Sequence, residues 1–172
     1  MAKTGSKSYE PAATEKQTWQ LWLDGGYFHP QPDERPRDQR FCIMIPLPNV
    51  TAALHLGHAL NNTLQDILTR FKRMQGCNTL WMLGTDHAGI ATQAMVEKSI
   101  RENEGKSRHE LGSTPDECRK EMVRRIWEWK AKFGGRIIEQ LKIMGCSGDY
   151  QRERFTLDEV CAKAVRHTFF KL

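Results

Sequence analysis

Two apolar segments flank an amphipathic helix, and this strand–helix–strand pattern constrains the fold more than any other feature of the sequence. The apolar segments are residues 41–45 and 79–83. Residues 56–75 between them place apolar side chains at helical spacing on one face, namely Leu60, Leu64, Ile67, Leu68 and Phe71. Two strands joined by one helix lie parallel and connect through a right-handed crossover. The sequence therefore predicts an α/β fold, with a parallel sheet and flanking helices.

The composition is that of a folded globular protein. Of the 172 residues, 39% are hydrophobic and 27% are charged, which excludes general disorder and suits one domain. The formal net charge of +5 permits a nucleotide or nucleic-acid partner without requiring one. We expect no membrane association, because no apolar run is long enough to span a bilayer. The five cysteines form no C-x-x-C pair, which favours a reducing, cytoplasmic environment over a zinc knuckle or disulfides.

Three regions follow one another along the chain. Residues 1–13 are polar and rich in small residues, as in a flexible tail. Residues 14–40 combine a short helix with a loop that holds three prolines. A capping box that starts at Thr14 opens this helix, and Trp19, Trp22 and Leu23 form its expected buried stripe. Residues 41–172 contain the strand–helix–strand pattern and the helices that follow it.

The later helices are predicted from capping residues and apolar spacing. After a helix over 89–103, a long helix begins at Thr114, with proline at its first position. Its core-facing stripe consists of Met122, Ile126, Trp129, Phe133, Ile137, Leu141 and Met144. A capping pair of Thr156 and Glu159 opens a last helix, which reaches Leu172 without a stop signal. We therefore expect the chain to be part of a longer protein.

The segment His55-Leu56-Gly57-His58 lies between the first strand and the helix that follows it. Two imidazoles three positions apart lie on the same side of a first helical turn. The free N–H groups and positive dipole end of a helix N-terminus favour phosphate, and imidazoles supply donors in either charge state. Gly57 allows a flat ring to approach the backbone. The pattern predicts nucleoside triphosphate binding, although ordinary surface or core histidines would have the same spacing.

Asp86 is a second candidate, because it follows the second strand in the run GTDHAG at 84–89. In open parallel sheets, ligands bind outside the carboxyl ends of the strands, where Asp86 and the histidines would face one crevice. A carboxylate there pairs with an ammonium group or a ribose hydroxyl. An equal alternative is that Asp86 caps the next helix. In the turn 46–51, Asn49 and Thr51 offer polar groups to the same crevice.

A metal site is the weaker interpretation of the histidines. His55, His58 and the distant His87 would supply three imidazoles, but no H-E-x-x-H or C-x-x-C motif accompanies them, so we expect no metal. The chain also lacks the Walker A, G-x-G-x-x-G and G-x-S-x-G motifs. Their absence argues against P-loop NTPases, dehydrogenases with the dinucleotide fingerprint and serine hydrolases.

These motifs together resemble those of class I aminoacyl-tRNA synthetases, most closely the valyl-tRNA synthetases. PLPNVTAALHLGHAL (46–60) is similar to the family's first nucleotide signature, and RFKRMQGCNTLWMLGTDHAGIATQ (70–93) to its valine-type continuation. The similarity extends through IWEWKAKFGG (126–135) and RERFTLDE (152–159). The resemblance implies a Rossmann-like (HUP-type) parallel sheet that is incomplete because the chain ends early. It assigns 41–172 to the first part of the catalytic nucleotide-binding domain.

The resemblance also implies an activity. The full-length enzyme would use ATP to convert valine to valyl-adenylate and then transfer the valyl group to tRNA(Val). His55 and His58 would contact the phosphates and stabilise the charge that develops as pyrophosphate leaves, and Gly57 would lie under the adenine. Asn49 and Thr51 would also contact ATP. Mg²⁺ would enter with ATP as substrate, without a tightly bound cofactor, in a monomeric cytoplasmic enzyme.

The amino-acid pocket implied by the resemblance surrounds Asp86. Its carboxylate would hold the valine ammonium group beside the Pro46 carbonyl, with Leu47 in the pocket wall. Two positions depart from the family pattern, since relatives usually have proline in place of Leu47 and glycine in place of Ala52. Leu47 adds bulk near the pocket and bears on selectivity for valine. Ala52 matters only where the backbone needs a positive φ.

Parts of the family pattern do not occur in these residues. The second nucleotide signature, Lys-Met-Ser-Lys-Ser, is absent, as are the editing and anticodon-binding domains. We therefore expect a fragment that does not charge tRNA by itself. Two other interpretations remain, a smaller H-x-G-H nucleotidyltransferase and a non-catalytic binding module derived from a synthetase. The valine-type stretch around Asp86 argues against the first, and a reading frame that continues into the missing signature would exclude the second.

Overall fold

The structure, a computed structural model, describes residues 9–172, so most of the expected tail at 1–13 lies outside the described residues. Short 3₁₀ turns occur at Arg37–Gln39 and Arg108–Glu110. The other elements, in chain order, are α1 (Pro11–Asp24), β1 (Arg40–Met44), α2 (Leu56–Met74), β2 (Asn78–Thr85), α3 (Gly89–Glu104), α4 (Pro115–Ile143), β3 (Asp149–Phe155) and α5 (Glu159–Lys171).

The three strands form a parallel sheet in the order β1-β2-β3, which confirms the predicted α/β fold with flanking helices. β1 pairs with β2 along its whole length, from Arg40 opposite Asn78 to Met44 opposite Met82. β3 lies on the other side of β2, so β2 is the central strand of the three. Its apolar sequence fits this place, because a central parallel strand is covered on both faces.

The main core lies between the sheet and the C-terminal half of α4. Its buried members are Ile45, Val50, Trp81, Leu83, Ile137, Ile138, Leu141 and Cys146. The predicted α4 stripe is confirmed as far as Leu141, but Met144 is 37% exposed because it follows the last residue of the helix. Thr114 caps α4 as predicted, accepting a hydrogen bond from the Glu117 N–H at 3.2 Å. The five cysteines are free thiols.

The apolar face of α2 does not face this core. Leu60, Leu64 and Ile67 are each at least 60% exposed, whereas the polar residues Asn62 and Thr69 are buried. The polar face packs on the sheet because it carries the hydrogen-bonding groups that connect α2 to the rest of the chain. These bonds run from Trp81 to Gln65, from Ser147 to Asp66, from Arg70 to Gly145 and from Arg73 to Ser147. The spacing thus predicts the helix correctly but not the direction of its apolar face.

The N-terminal helix α1 begins at Pro11, three residues before the start predicted at Thr14. Proline suits a first helical position because it has no N–H to satisfy. Thr14 lies inside the helix, where its hydroxyl donates to a backbone carbonyl rather than capping the end. Of the expected buried stripe, Trp19 and Trp22 are half-buried and Leu23 is 38% exposed. No helix within residues 9–172 has the length and apolarity needed to cross a membrane.

Two helical leucines test where the core lies. Leu141 is fully buried and Leu64 is 61% exposed. We expect Leu141→Ala to lower the free energy of unfolding by about 2–5 kcal/mol, because it leaves a cavity against the sheet. The matched control, Leu64→Ala, should change it by less than about 0.5 kcal/mol. Urea denaturation followed by circular dichroism measures both values, and equal losses would contradict the described core.

Candidate active site

The chain that leaves β1 stays paired with β2 beyond the end of the strand. The N–H of Asp86 donates to the carbonyl of Pro48 at 2.8 Å, and the N–H of Val50 donates to the carbonyl of Asp86 at 2.9 Å. These bonds form a parallel bridge between Asn49 and Asp86. The turn 46–51 is therefore held against the carboxyl end of β2, where open parallel sheets bind their ligands.

Two side chains of α4 anchor the same loop from the other side. The indole N–H of Trp129 donates to the carbonyl of Val50 at 2.9 Å. The side-chain oxygen of Gln140 accepts the N–H of Leu54 at 2.8 Å. These two bonds fix the loop at Val50 and at Leu54, the residue immediately before His55. Sequence reasoning placed Trp129 only in the core stripe, and no local pattern singles out Gln140.

His55 and His58 form the N-terminal cap of α2. The Nδ1 atom of His55 accepts the N–H of Gly57 at 3.1 Å, and the N–H of His55 donates to Nδ1 of His58 at 3.3 Å. The two ring centroids are 4.0 Å apart. A Cβ atom on Gly57 would lie 2.9 Å from Cε1 of His55, so a side chain there would displace the ring. Glycine is therefore needed for the geometry of the cap itself.

The cap determines which nitrogen of each ring carries the proton. Both Nδ1 atoms accept backbone N–H groups, so each neutral ring must carry its proton on Nε2. Burial, and secondarily the nearby His55, lower the pKa of His58. The neutral form of His58 is thereby favoured. Each neutral imidazole offers one Nε2–H donor at the start of a helix, where the dipole also favours an anion.

Asp86 has one occupied and one free carboxylate oxygen. Its Oδ1 atom accepts the hydroxyl of Thr156 at 2.8 Å and the N–H of Ala88 at 3.3 Å. Within residues 9–172, Oδ2 has no hydrogen-bond or ion-pair partner. Ala88 occupies the N-cap position of α3, and no side chain forms a capping hydrogen bond with that helix. The alternative in which Asp86 caps α3 is therefore wrong.

The other predicted residues lie along the turn beside Asp86. Pro46 and Asn49 are exposed, whereas Thr51 is half-buried. In the described part of the chain, the side chains of Asn49 and Thr51 have no hydrogen-bond partner. Leu47 packs over Gly84, at which a Cβ atom would lie 2.8 Å from Cδ2 of Leu47.

The structure also bears on two questions left by the sequence. Ala88 is the one non-glycine residue with positive φ between residues 9 and 172, so Ala52 has ordinary backbone geometry. Those residues contain no group of three or more histidine, cysteine, aspartate or glutamate side chains that could hold a metal ion.

His87 contacts Thr156, with its Nδ1 atom 2.6 Å from the hydroxyl oxygen. Sequence reasoning assigned Thr156 to the cap of α5, but Asp158 caps that helix.

A family model provides the decisive comparison. The model of tRNA synthetases class I (I, L, M and V) matches residues 17–172. The chain belongs to this family. Similar curated proteins are the valine–tRNA ligases of Carboxydothermus hydrogenoformans, 51% identical over the whole chain, and Geobacter sulfurreducens, 54% identical over 97% of it. These relatives confirm the resemblance of this synthetase chain to valine-type synthetases. The chain spans 18% of the length of each relative.

A solved structure supports the fold of this synthetase chain. It is the ternary LeuRS–tRNA–LeuAMS complex from Agrobacterium radiobacter, with a TM-score of 0.74 and 17% sequence identity. The match covers 96% of this chain and 18% of that one. At this identity the likeness establishes the fold alone, and it confirms the architecture expected from the family resemblance.

The His58 ring provides a pH test of the cap. We expect its protonation midpoint to lie below the ordinary value of 6.5, because burial and the nearby His55 disfavour imidazolium. Since the unfolded chain binds this proton more readily, stability is lost as pH falls from 6.5 through the folded pKa. An NMR titration of the ring measures the midpoint. His55→Asn keeps a capping side chain and should raise the midpoint only partly, because burial remains. A wild-type midpoint at or above 6.5 would contradict the described environment.

Proposed function

We propose that the full-length protein containing this chain is a valine–tRNA ligase, which forms valyl-adenylate from valine and ATP and transfers the valyl group to tRNA(Val). One observation carries the proposal. The histidine donors at the start of α2 and the carboxylate of Asp86 follow the carboxyl ends of two adjacent parallel strands. Valine–tRNA ligases that are 51% and 54% identical to the chain support the choice of amino acid.

The capped histidines are the proposed contacts to the phosphates of ATP, which class I synthetases use. In the neutral state, their Nε2–H groups would donate to phosphate oxygens. These bonds would strengthen as negative charge develops on the departing pyrophosphate, which is how fixed donors raise a rate. The adenine would lie over Gly57, and the unpartnered side chains of Asn49 and Thr51 would contribute further contacts to ATP.

The proposed amino-acid pocket lies at Asp86. Its free Oδ2 would accept the valine ammonium group, and the carbonyl of Pro46 would lie beside that group. Leu47, seated over Gly84, would form part of the apolar wall. Such a wall discriminates poorly against threonine, an isostere of valine, with a preference of only about a hundredfold.

The exposed surfaces support a partial catalytic domain. Within residues 9–172, β1 pairs only with β2 and leaves its other edge open. The apolar face of α2 is exposed as well. We propose that a later part of the parent chain covers these surfaces and supplies the second nucleotide signature, so that this chain alone does not charge tRNA. The open edge of β1 and the exposed apolar face of α2 are the observations that disfavour a free-standing binding module.

The remaining parts of the proposal concern the conditions of the reaction. Mg²⁺ would arrive with ATP, because this ion binds chiefly through substrate phosphates and retained waters. The full-length enzyme would act as a cytoplasmic monomer without a tightly bound cofactor.

Valine-dependent exchange between ATP and pyrophosphate in the full-length protein tests the assigned activity. His58→Ala should lower the exchange rate roughly 10²–10³-fold, because it removes one preorganised donor to the developing charge. His167→Ala is the matched control, since His167 is an exposed histidine on α5 and should leave the rate unchanged. Absence of valine-dependent exchange in the wild type would refute the activity. Unchanged exchange in His58→Ala would refute the role of this histidine.

A further inference from the structure

The hydroxyl of Thr156 lies between the two side chains that follow β2. Its Oγ1 atom is 2.8 Å from Oδ1 of Asp86 and 2.6 Å from Nδ1 of His87, and it also accepts the N–H of His87 at 2.9 Å. Thr156 is 70 residues from Asp86 in the sequence. One hydroxyl thus connects the end of β3 with the polar residues at the end of β2.

The sheet fixes the position of Thr156. The strand register places Phe155 opposite Thr85, and the N–H of Thr156 donates to the carbonyl of Thr85 at 3.1 Å. Phe155 packs against the main core. The capping of α5 does not need Thr156, because the side chain of Asp158 accepts the N–H of Cys161 at 2.8 Å. The threonine hydroxyl is therefore free for the contacts it makes with Asp86 and His87.

Only one assignment of protons satisfies these contacts when Asp86 is ionised. A threonine hydroxyl has one proton, and a carboxylate can only accept. The proton of Thr156 must therefore point to Asp86, since two acceptors would otherwise face each other at 2.8 Å. The hydroxyl oxygen then accepts from His87, so Nδ1 of His87 must carry a proton. In the neutral ring, Nε2 of His87 is consequently unprotonated.

We propose that Thr156 is a positioning residue of the amino-acid site. By holding Oδ1, its hydroxyl fixes the rotation of the Asp86 carboxylate, which is otherwise broad, and presents Oδ2 to the ammonium group. The same hydroxyl is the nearer of two acceptors for Nδ1–H of His87, at 2.6 Å against 3.4 Å for Oδ1 of Asp86, and it favours the Nδ1–H tautomer. The part concerning the ammonium group rests on the proposed function, whereas the hydrogen-bond arrangement does not.

The tautomer of His87 tests the arrangement independently of any activity. In long-range ¹H–¹⁵N spectra of the ¹⁵N-labelled chain at neutral pH, the His87 signals are assigned by their loss in His87→Gln. We expect an Nδ1–H tautomer in the wild type and in Thr156→Ser, which keeps the hydroxyl. Thr156→Val has nearly the same shape but no hydroxyl, and it leaves Nδ1 of His87 with only the more distant Oδ1 of Asp86, at 3.4 Å, as an acceptor. The fraction of the Nδ1–H tautomer should therefore fall in this variant, and an unchanged fraction would overturn the proposal. An Nε2–H tautomer in the wild type would overturn the proposal, without any need for a folded variant.

Exchange kinetics of the full-length protein test the consequence for the amino acid. Thr156→Val should raise the KM for valine roughly 10- to 100-fold, the cost of losing a hydrogen bond to a charged group, and change the KM for ATP less than about twofold. Thr156→Ser should stay near wild type. Thr168→Val, at an exposed position on α5, is the matched control.

The two experiments separate failure of the inference from failure of the proposed function. A wild-type protein without valine-dependent exchange would refute the valine ligase, and the tautomer of His87 would still decide the role of the Thr156 hydroxyl. Wild-type exchange together with an unchanged KM for valine in Thr156→Val would refute the positioning role alone. Equal increases in both KM values would also overturn it, because they indicate a general structural effect.

Discussion

Two backbone hydrogen bonds hold the candidate site together, namely those that join Asp86 to Pro48 and to Val50. They extend the pairing of β1 and β2 past the end of β1. The turn after one strand is therefore fixed beside the carboxylate that follows the next. The α4 side chains of Trp129 and Gln140 form hydrogen bonds with the loop before α2, so the start of α2 is also fixed. Because main-chain bonds set this geometry, side chains along the turn can vary without moving the site.

The apolar surfaces of the described residues are buried on one side of the fold and exposed on the other. α4 and the sheet enclose a packed apolar core, whereas the apolar face of α2 and one edge of β1 are exposed. Parallel sheets are normally covered on both faces, and a large apolar patch normally marks an interaction surface. Under the proposed function, another segment of the parent chain would cover these surfaces.

Local signals in the sequence predict the first two strands and the helices, but not β3, whose sequence is mostly polar. The apolar strands, the α4 cap at Thr114 and the histidine motif at the start of α2 each depend on neighbours within a few residues. Spacing predicts that α2 is amphipathic, but it cannot say which face meets the sheet, because that depends on Trp81 and the loop before β3. The contacts of Thr156 with Asp86, and of Gln140 with Leu54, span 70 and 86 residues and leave no local pattern.

In the proposed site, the carboxyl end of the sheet holds the ammonium group of valine and the phosphates of ATP side by side. A crystal structure of the full-length protein with valine and a non-hydrolysable ATP analogue measures this arrangement. We expect the ammonium nitrogen within hydrogen-bond distance of Oδ2 of Asp86, and phosphate oxygens facing the Nε2 atoms of His55 and His58. Valine bound with its ammonium group away from Asp86, or phosphates bound away from both histidines, would refute the proposed site.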